Sequence, residues 1–279
     1  MFCGNALWNR LCLFSTVLVA VAGAAMATLS GATDRGPIQA VNKEDSGNVW
    51  LIFIDDLHLD FPATGRHKAL FKTVTTELVR EGDLVGVVST GPSSIAIDLT
   101  HDREPLNQAL EKISGAALKP SEIVAVPDQD TSEVRYRAHV SFRTAYDVLK
   151  MLALVPNARK AFIYISNGYD FDVWPASLRT SATNPFSLEG TAVSLDRLRD
   201  EVTELTAQAK RANVTIYGID PRALSGPPVV DQKIDDIAWQ KYWMTTRNSL
   251  QVIAEQTGGF IIDDELESGL KRIVAAKGR

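Results

Sequence analysis

Asp55, Asp56, His58 and Asp60 fall within six residues, directly after the apolar run Val49-Trp50-Leu51-Ile52-Phe53-Ile54. Two adjacent carboxylates, an imidazole and a third carboxylate are donor types that can hold a transition metal. The same residues have a plainer use. Acidic side chains after a strand cap the following turn, and a lone His in a polar loop is ordinarily solvated.

Several catalytic chemistries fail on residue type. Asp55-Asp56 after a buried strand resembles the acidic pair of phosphoryl-accepting receiver domains, but the hairpin expected after the first helix and an export signal count against that. A dehalogenase-type phosphatase needs a second Asp two places after its nucleophile. Leu57 follows Asp55 at that spacing and His58 follows Asp56. No Gly-rich phosphate loop follows the first strand, and no Gly-x-Ser-x-Gly elbow occurs. No catalytic residue is assigned, and a hydrolase built from scattered loops stays as an alternative.

The elements that position these residues are read from hydrophobic period. Val49–Ile54 is continuous enough for a strand buried on both faces of a parallel sheet. Helical spacing predicts a helix over His67–Glu81, stopped by Gly82. Leu84–Ser89 and Ile95–Leu99 are separated by too few residues for a crossover helix, so they form an antiparallel hairpin at a sheet edge. Helices follow from Asp102 and over Glu133–Val155, the latter capped by Thr131 or Ser132. Ala161–Ile165 is a strand, Leu195–Ala212 a helix, Val214–Ile219 a strand, Thr245–Gln256 a helix and Phe260–Ile262 the last strand. The alternation specifies an α/β fold: a doubly wound, mostly parallel central sheet with one antiparallel edge hairpin and helices on both faces.

The chain's 279 residues, 45% apolar and 23% charged, suit a globular domain with a sizeable core. Residues 1–27 differ in kind: Arg10 is their only charge, and a weakly polar to apolar stretch runs from Leu11 to Leu29. They read as a signal peptide cleaved after Ala27, in the small-x-small triplet Ala25-Met26-Ala27, with an uncleaved membrane anchor as the alternative. Residues 28–47 read as a flexible linker and residues 48–279 as the domain. Both cysteines, Cys3 and Cys12, leave with the leader, so no disulfide or thiolate chemistry remains. Loss of Arg10 takes the basic residues from 29 to 28 against 34 acidic ones, a net charge of −6, and a nucleic acid partner is excluded. Membrane contact is expected only through the N-terminal segment, if it is retained.

Three segments carry a family resemblance. They are Arg159-Lys160-Ala161-Phe162-Ile163-Tyr164-Ile165-Ser166-Asn167-Gly168, then Ala212-Asn213-Val214-Thr215-Ile216-Tyr217-Gly218-Ile219-Asp220-Pro221-Arg222, then Leu250 to Gly259. With the element order, they resemble the von Willebrand factor A-type (vWA) domain, in a bacterial branch common in acidobacteria. The resemblance implies a protein-binding module, and the leader implies a place in the periplasm or outside the cell. It also implies a metal-ion-dependent adhesion site holding Mg²⁺ through an Asp-x-Ser-x-Ser loop, a Thr and a further Asp. Asp55 matches the first Asp, with Asp56 beside it. Leu57 and Leu59 stand where the two Ser belong, Thr144 or Thr131 takes the Thr position, and Asn167 replaces the second Asp. This set is degenerate, because Mg²⁺ needs about six oxygen ligands. No cofactor is expected, and a Mg²⁺-dependent adhesion module is the alternative.

Partner binding is expected where the parallel strands end, on the loops of residues 55–65, 168–194 and 220–244. Two of these are longer than the usual connection of about 4 to 6 residues. The candidate contacts are His58, Asp60, Tyr169, Asp170, Phe171, Trp174, Trp239 and Trp243, with Phe186 and Tyr242 nearby, since aromatics anchor interfaces. Trp239, Tyr242 and Trp243 also have near-helical spacing, which suits packing on the sheet.

Overall fold

A computed structural model describes residues 47–124, 132–156, 159–173, 193–224 and 234–277. The leader, nearly all of the linker, Thr131, Trp174 and Phe186 lie outside the described residues. The chain divides into two units, residues 1–45 and 46–279, and the second holds every described strand and helix.

Six strands form one sheet: β1 (Val49–Ile54), β2 (Leu84–Ser89), β3 (Ala96–Thr100), β4 (Lys160–Ile165), β5 (Val214–Ile219) and β6 (Ile261–Ile262). Their order is β3-β2-β1-β4-β5-β6, with every pair parallel except β2 with β3. The expected hairpin is therefore the edge of the sheet, and the first strand is central. Side chains alternate across β1, so Val49, Leu51 and Phe53 enter one core while Trp50, Ile52 and Ile54 enter the other. That two-sided burial is why β1 reads as an unbroken apolar run.

Helices cover both faces. α1 (Thr64–Leu78), α2 (Glu104–Lys112) and the C-terminal α8 (Leu266–Lys277) supply the Trp50 side. α4 (Ser132–Ala153), α5 (Leu195–Arg211) and α7 (Asp236–Gln256) supply the Phe53 side. Short helices α3 (Pro120–Val124) and α6 (Pro221–Leu224) lie in connections. Among the described residues no helix is long and apolar enough to cross a membrane.

Three of the longer elements differ from the sequence expectation, besides the short α3 and α6 in segments expected as loops. α7 begins nine residues before Thr245, because Asp235 caps it through the backbone amides of Ile237 and Ala238. Trp239, Tyr242 and Trp243 are thus helical rather than in a long loop. α8 is an additional helix, with Leu266, Leu270 and Ile273 at helical spacing. α1 begins and ends three residues early, with Val79 already extended as its C-cap.

Both sheet edges are guarded. β3 carries the exposed Asp98, and its pairing with β2 is irregular between Val85 and Val87; β6 has only two residues. Charge, bulge and shortness are the devices that stop an edge strand from pairing with another chain.

Candidate functional site

The strand ends of β1 and β4 bring one carboxylate into the centre of a polar cluster. Asp55 is fully buried, and its backbone amide continues the ladder to the Ile165 carbonyl (2.9 Å). Its Oδ1 faces Ser141 Oγ (2.6 Å), Thr90 Oγ1 (3.0 Å) and His58 Nδ1 (3.0 Å). Its Oδ2 accepts from Ser166 Oγ (2.9 Å) and Tyr169 OH (2.7 Å). Five partners from the β1 loop, the hairpin turn, α4 and the β4 loop therefore converge on two oxygens with about four lone-pair directions. Burial works against the charge of Asp55. The His58 charge and the hydrogen bonds from His58, Ser141 and Tyr169 outweigh it and hold the carboxyl below its ordinary range.

Asp56 has a separate task. Its Oδ1 accepts from the amides of Thr90 (3.0 Å) and Gly91 (2.6 Å), and its Oδ2 from the amide of Ser93 (2.7 Å). The side chain closes the β2–β3 turn, and burial raises its pKa despite those bonds. Thr90 Oγ1 also lies 2.9 Å from Asp56, so its one proton serves either carboxylate. The loop over residues 114–118 roofs this region. Ala116 donates to the Asp56 carbonyl (2.8 Å) and Ala117 to that of Leu59 (3.0 Å). Gly115 permits that approach, because a Cβ there would lie 2.2 Å from the Leu59 carbonyl oxygen.

A second cluster surrounds Asp60 at the same edge. Asn167, 5% exposed, donates from Nδ2 to Asp60 Oδ2 (3.3 Å), while its Oδ1 is buried with no partner among the described residues. Burial raises Asp60, although the Arg222 guanidinium opposes this. Arg222 is itself buried, held by both oxygens of Asp220 (2.9 and 2.6 Å) and donating to Thr246 on α7 (2.9 Å). Gly168, with φ of +79°, lets the β4 loop press on α7, since a Cβ would stand 1.9 Å from the Thr246 carbonyl oxygen.

These contacts locate each candidate residue. Asp55 and His58 meet, with the His58 ring edge-on to Tyr169 at 4.7 Å, while Asp56 turns to the hairpin and shares only Thr90 with Asp55. Thr144 does not join them: its hydroxyl donates to Val140 within α4 (2.8 Å), and Ser141, three residues earlier on the inward stripe, reaches Asp55 instead. Asn167 meets Asp60, not Asp55. Tyr169, Phe171 and Trp239, expected to contact a partner, are instead 1%, 7% and 9% exposed and lie in the core. Phe171 packs on Phe142 and Trp239 on Tyr242. Trp243 is half-buried with its indole N–H enclosed, and Asp170 is half-buried with its carboxyl raised by burial. Among the described residues, large apolar groups exposed at or near this edge include Phe61 (66%), Tyr136 (57%), Ile237 (81%) and Met244 (62%), none of them among the candidate contacts.

The donor set does not fit the Mg²⁺ that vWA-type domains carry. Leu57 and Leu59 have no ligating atom, Leu59 is fully buried, and Asp55 has no lone pair to offer without losing a hydrogen bond. Among the described residues no group of three or more His, Cys, Asp or Glu side chains is placed to hold a metal ion.

No protein-family model matches the sequence, and a search of curated proteins found no match. Solved structures similar to this chain include the SpRpn10 VWA domain, at 10% identity and a TM-score of 0.36, over 81% of this chain and 94% of that one. The pilus adhesin SpaC from Lactobacillus rhamnosus GG, in its open conformation, is similar at 14% identity and a TM-score of 0.46, over 84% of this chain and 30% of that one. The fold is vWA-like by its strand order and antiparallel edge. These likenesses are too distant to add a function to it.

Proposed function

We propose that this chain is an exported protein-binding module that engages its partner at the C-terminal edge of the sheet, without Mg²⁺ and without catalysis. The observation that carries the reading is the saturation of Asp55. The residue that would be the first metal ligand is instead an internal hub joining β1, the hairpin turn, α4 and the β4 loop. Such a hub presents a rigid edge rather than a reacting group. His58 is held on the hub by Nδ1, and the carboxylates beside it are committed to protein donors. Phe61, Ile237 and Met244 supply the apolar contact that a protein partner would cover.

The test places a photo-crosslinking amino acid at Phe61, Ile237 or Met244 in separate variants, with control positions at Glu77 and Lys210 on the opposite edge. Crosslinks to a common protein from the first three positions alone are expected. Crosslinks confined to the control positions overturn the reading. Export is checked separately by sequencing the N-terminus of the mature chain, expected at Thr28.

A further inference from the structure

The opposite end of the sheet carries a different surface. α4 and α5 each run back from the C-terminal edge and finish beside the starts of β4 and β5. Their ends are close together. The buried Lys160, first residue of β4, donates from Nζ to the carbonyl of Ala212 just past α5 (2.9 Å). At this end Leu154 is 83% exposed and Met151 40% exposed. Lys150 near the end of α4, Arg159 just before β4 and Lys210 near the end of α5 are exposed at this end, as is Arg211, which pairs with Glu204. The basic group stands out in a chain of net charge −5.

Part of this has an ordinary explanation. Cations at helix C-termini complement the helix dipole, which accounts for Lys150 and Lys210. It does not account for a Leu left almost wholly in water directly after the end of α4. The chain also enters the domain at this end, since Val49 is paired with the first residues of β2 and β4.

We propose that this end is a membrane-surface contact, with Leu154 and Met151 entering the interface of an anionic bilayer and Lys150, Arg159 and Lys210 meeting its headgroups. Apolar side chains at the headgroup boundary combined with cations over anionic lipid are the two components of peripheral membrane binding. Long Lys and Arg stems allow the charges to stay wet while the apolar tips enter. The contact turns the Asp55 edge away from the membrane, toward a partner. It rests on other residues than the partner-binding reading, so either can fail alone.

Residues 46–279 form a compact unit containing both cores, and this unit, free of the apolar stretch, is the material for the test. It is sedimented with vesicles of phosphatidylcholine alone and of phosphatidylcholine with phosphatidylglycerol. Binding to the anionic vesicles only is expected, weakening as salt rises. Lys150→Glu with Lys210→Glu should weaken it at least about twentyfold, and Leu154→Ser about tenfold. Urea unfolding of each variant confirms that the fold is kept. Absence of binding to anionic vesicles, equal binding to neutral ones, or wild-type binding by the folded variants overturns the proposal. So does capture of a protein at Leu154 with no vesicle binding.

Discussion

Asp55→Ala separates a structural hub from a metal ligand. Removing the carboxylate leaves five partners without their acceptor. Thr90 and His58 are only part-buried and can turn to water or, for Thr90, to Asp56. Ser141, Ser166 and Tyr169 are 0%, 0% and 1% exposed and cannot reach water. Tyr169 keeps Tyr164 and Ser141 keeps His58 Nδ1 at 3.4 Å, while Ser166 keeps the Gly168 amide as a donor but loses its acceptor, so the loss falls most fully on the Ser166 hydroxyl. An orphaned buried polar group costs about 1–3 kcal/mol, and breaking a buried charged pair costs about 3–5 kcal/mol. The expected loss is therefore roughly 3–5 kcal/mol, read as a fall in the urea midpoint at unchanged slope. A ligand waiting for Mg²⁺ behaves oppositely: its removal relieves an uncompensated carboxylate and leaves apo-protein stability level or higher. A loss under about 1 kcal/mol, or a gain, refutes the hub.

Three more outcomes rest on particular residues. His67 is buried beside Arg66, and burial lowers its pKa from 6.5 to about 4. The unfolded chain then binds the extra proton between those values, so stability is full above about pH 6.5 and falls by about 3 kcal/mol toward pH 4, levelling below. His67→Leu should remove that component, checked by comparing the two urea midpoints across the range. Gly168→Ala should cost at least about 2 kcal/mol, because its φ is positive and its Cβ would collide with the Thr246 carbonyl; the melting temperature checks it. Leu57→Ser with Leu59→Ser restores the family's hydroxyls but leaves Asp55 saturated, so calorimetry should detect no saturable Mg²⁺ binding. Filling of that site would show that Asp55 exchanges protein donors for metal.

The sheet was legible in the sequence because burial of β1 on both faces and the short link between β2 and β3 each leave one topology. The start of α7 was not legible. Asp235 looks like one more loop carboxylate until Ile237 and Ala238 are seen to donate to it. Asp55 stood out through its place after β1, yet its role did not. Ser141 and Thr90 lie in distant segments, and nothing in their spacing announces a shared acceptor. Thr144 was the natural choice by family position, but Ser141 lies on the face of α4 that looks inward. Aromatic residues after β4 suggested a surface, and Tyr169 and Phe171 turned into the core because Phe142 offers them a ring face.

The most direct measurement compares partners retained from native extract by the purified domain in EDTA and in excess Mg²⁺, with Asp55→Asn as a third sample. The account predicts the same proteins, in the same amounts, with and without the ion, and crosslinking through Phe61, Ile237 or Met244 in both conditions. Loss of those proteins in EDTA, restored by Mg²⁺ and absent from a folded Asp55→Asn variant, would contradict it.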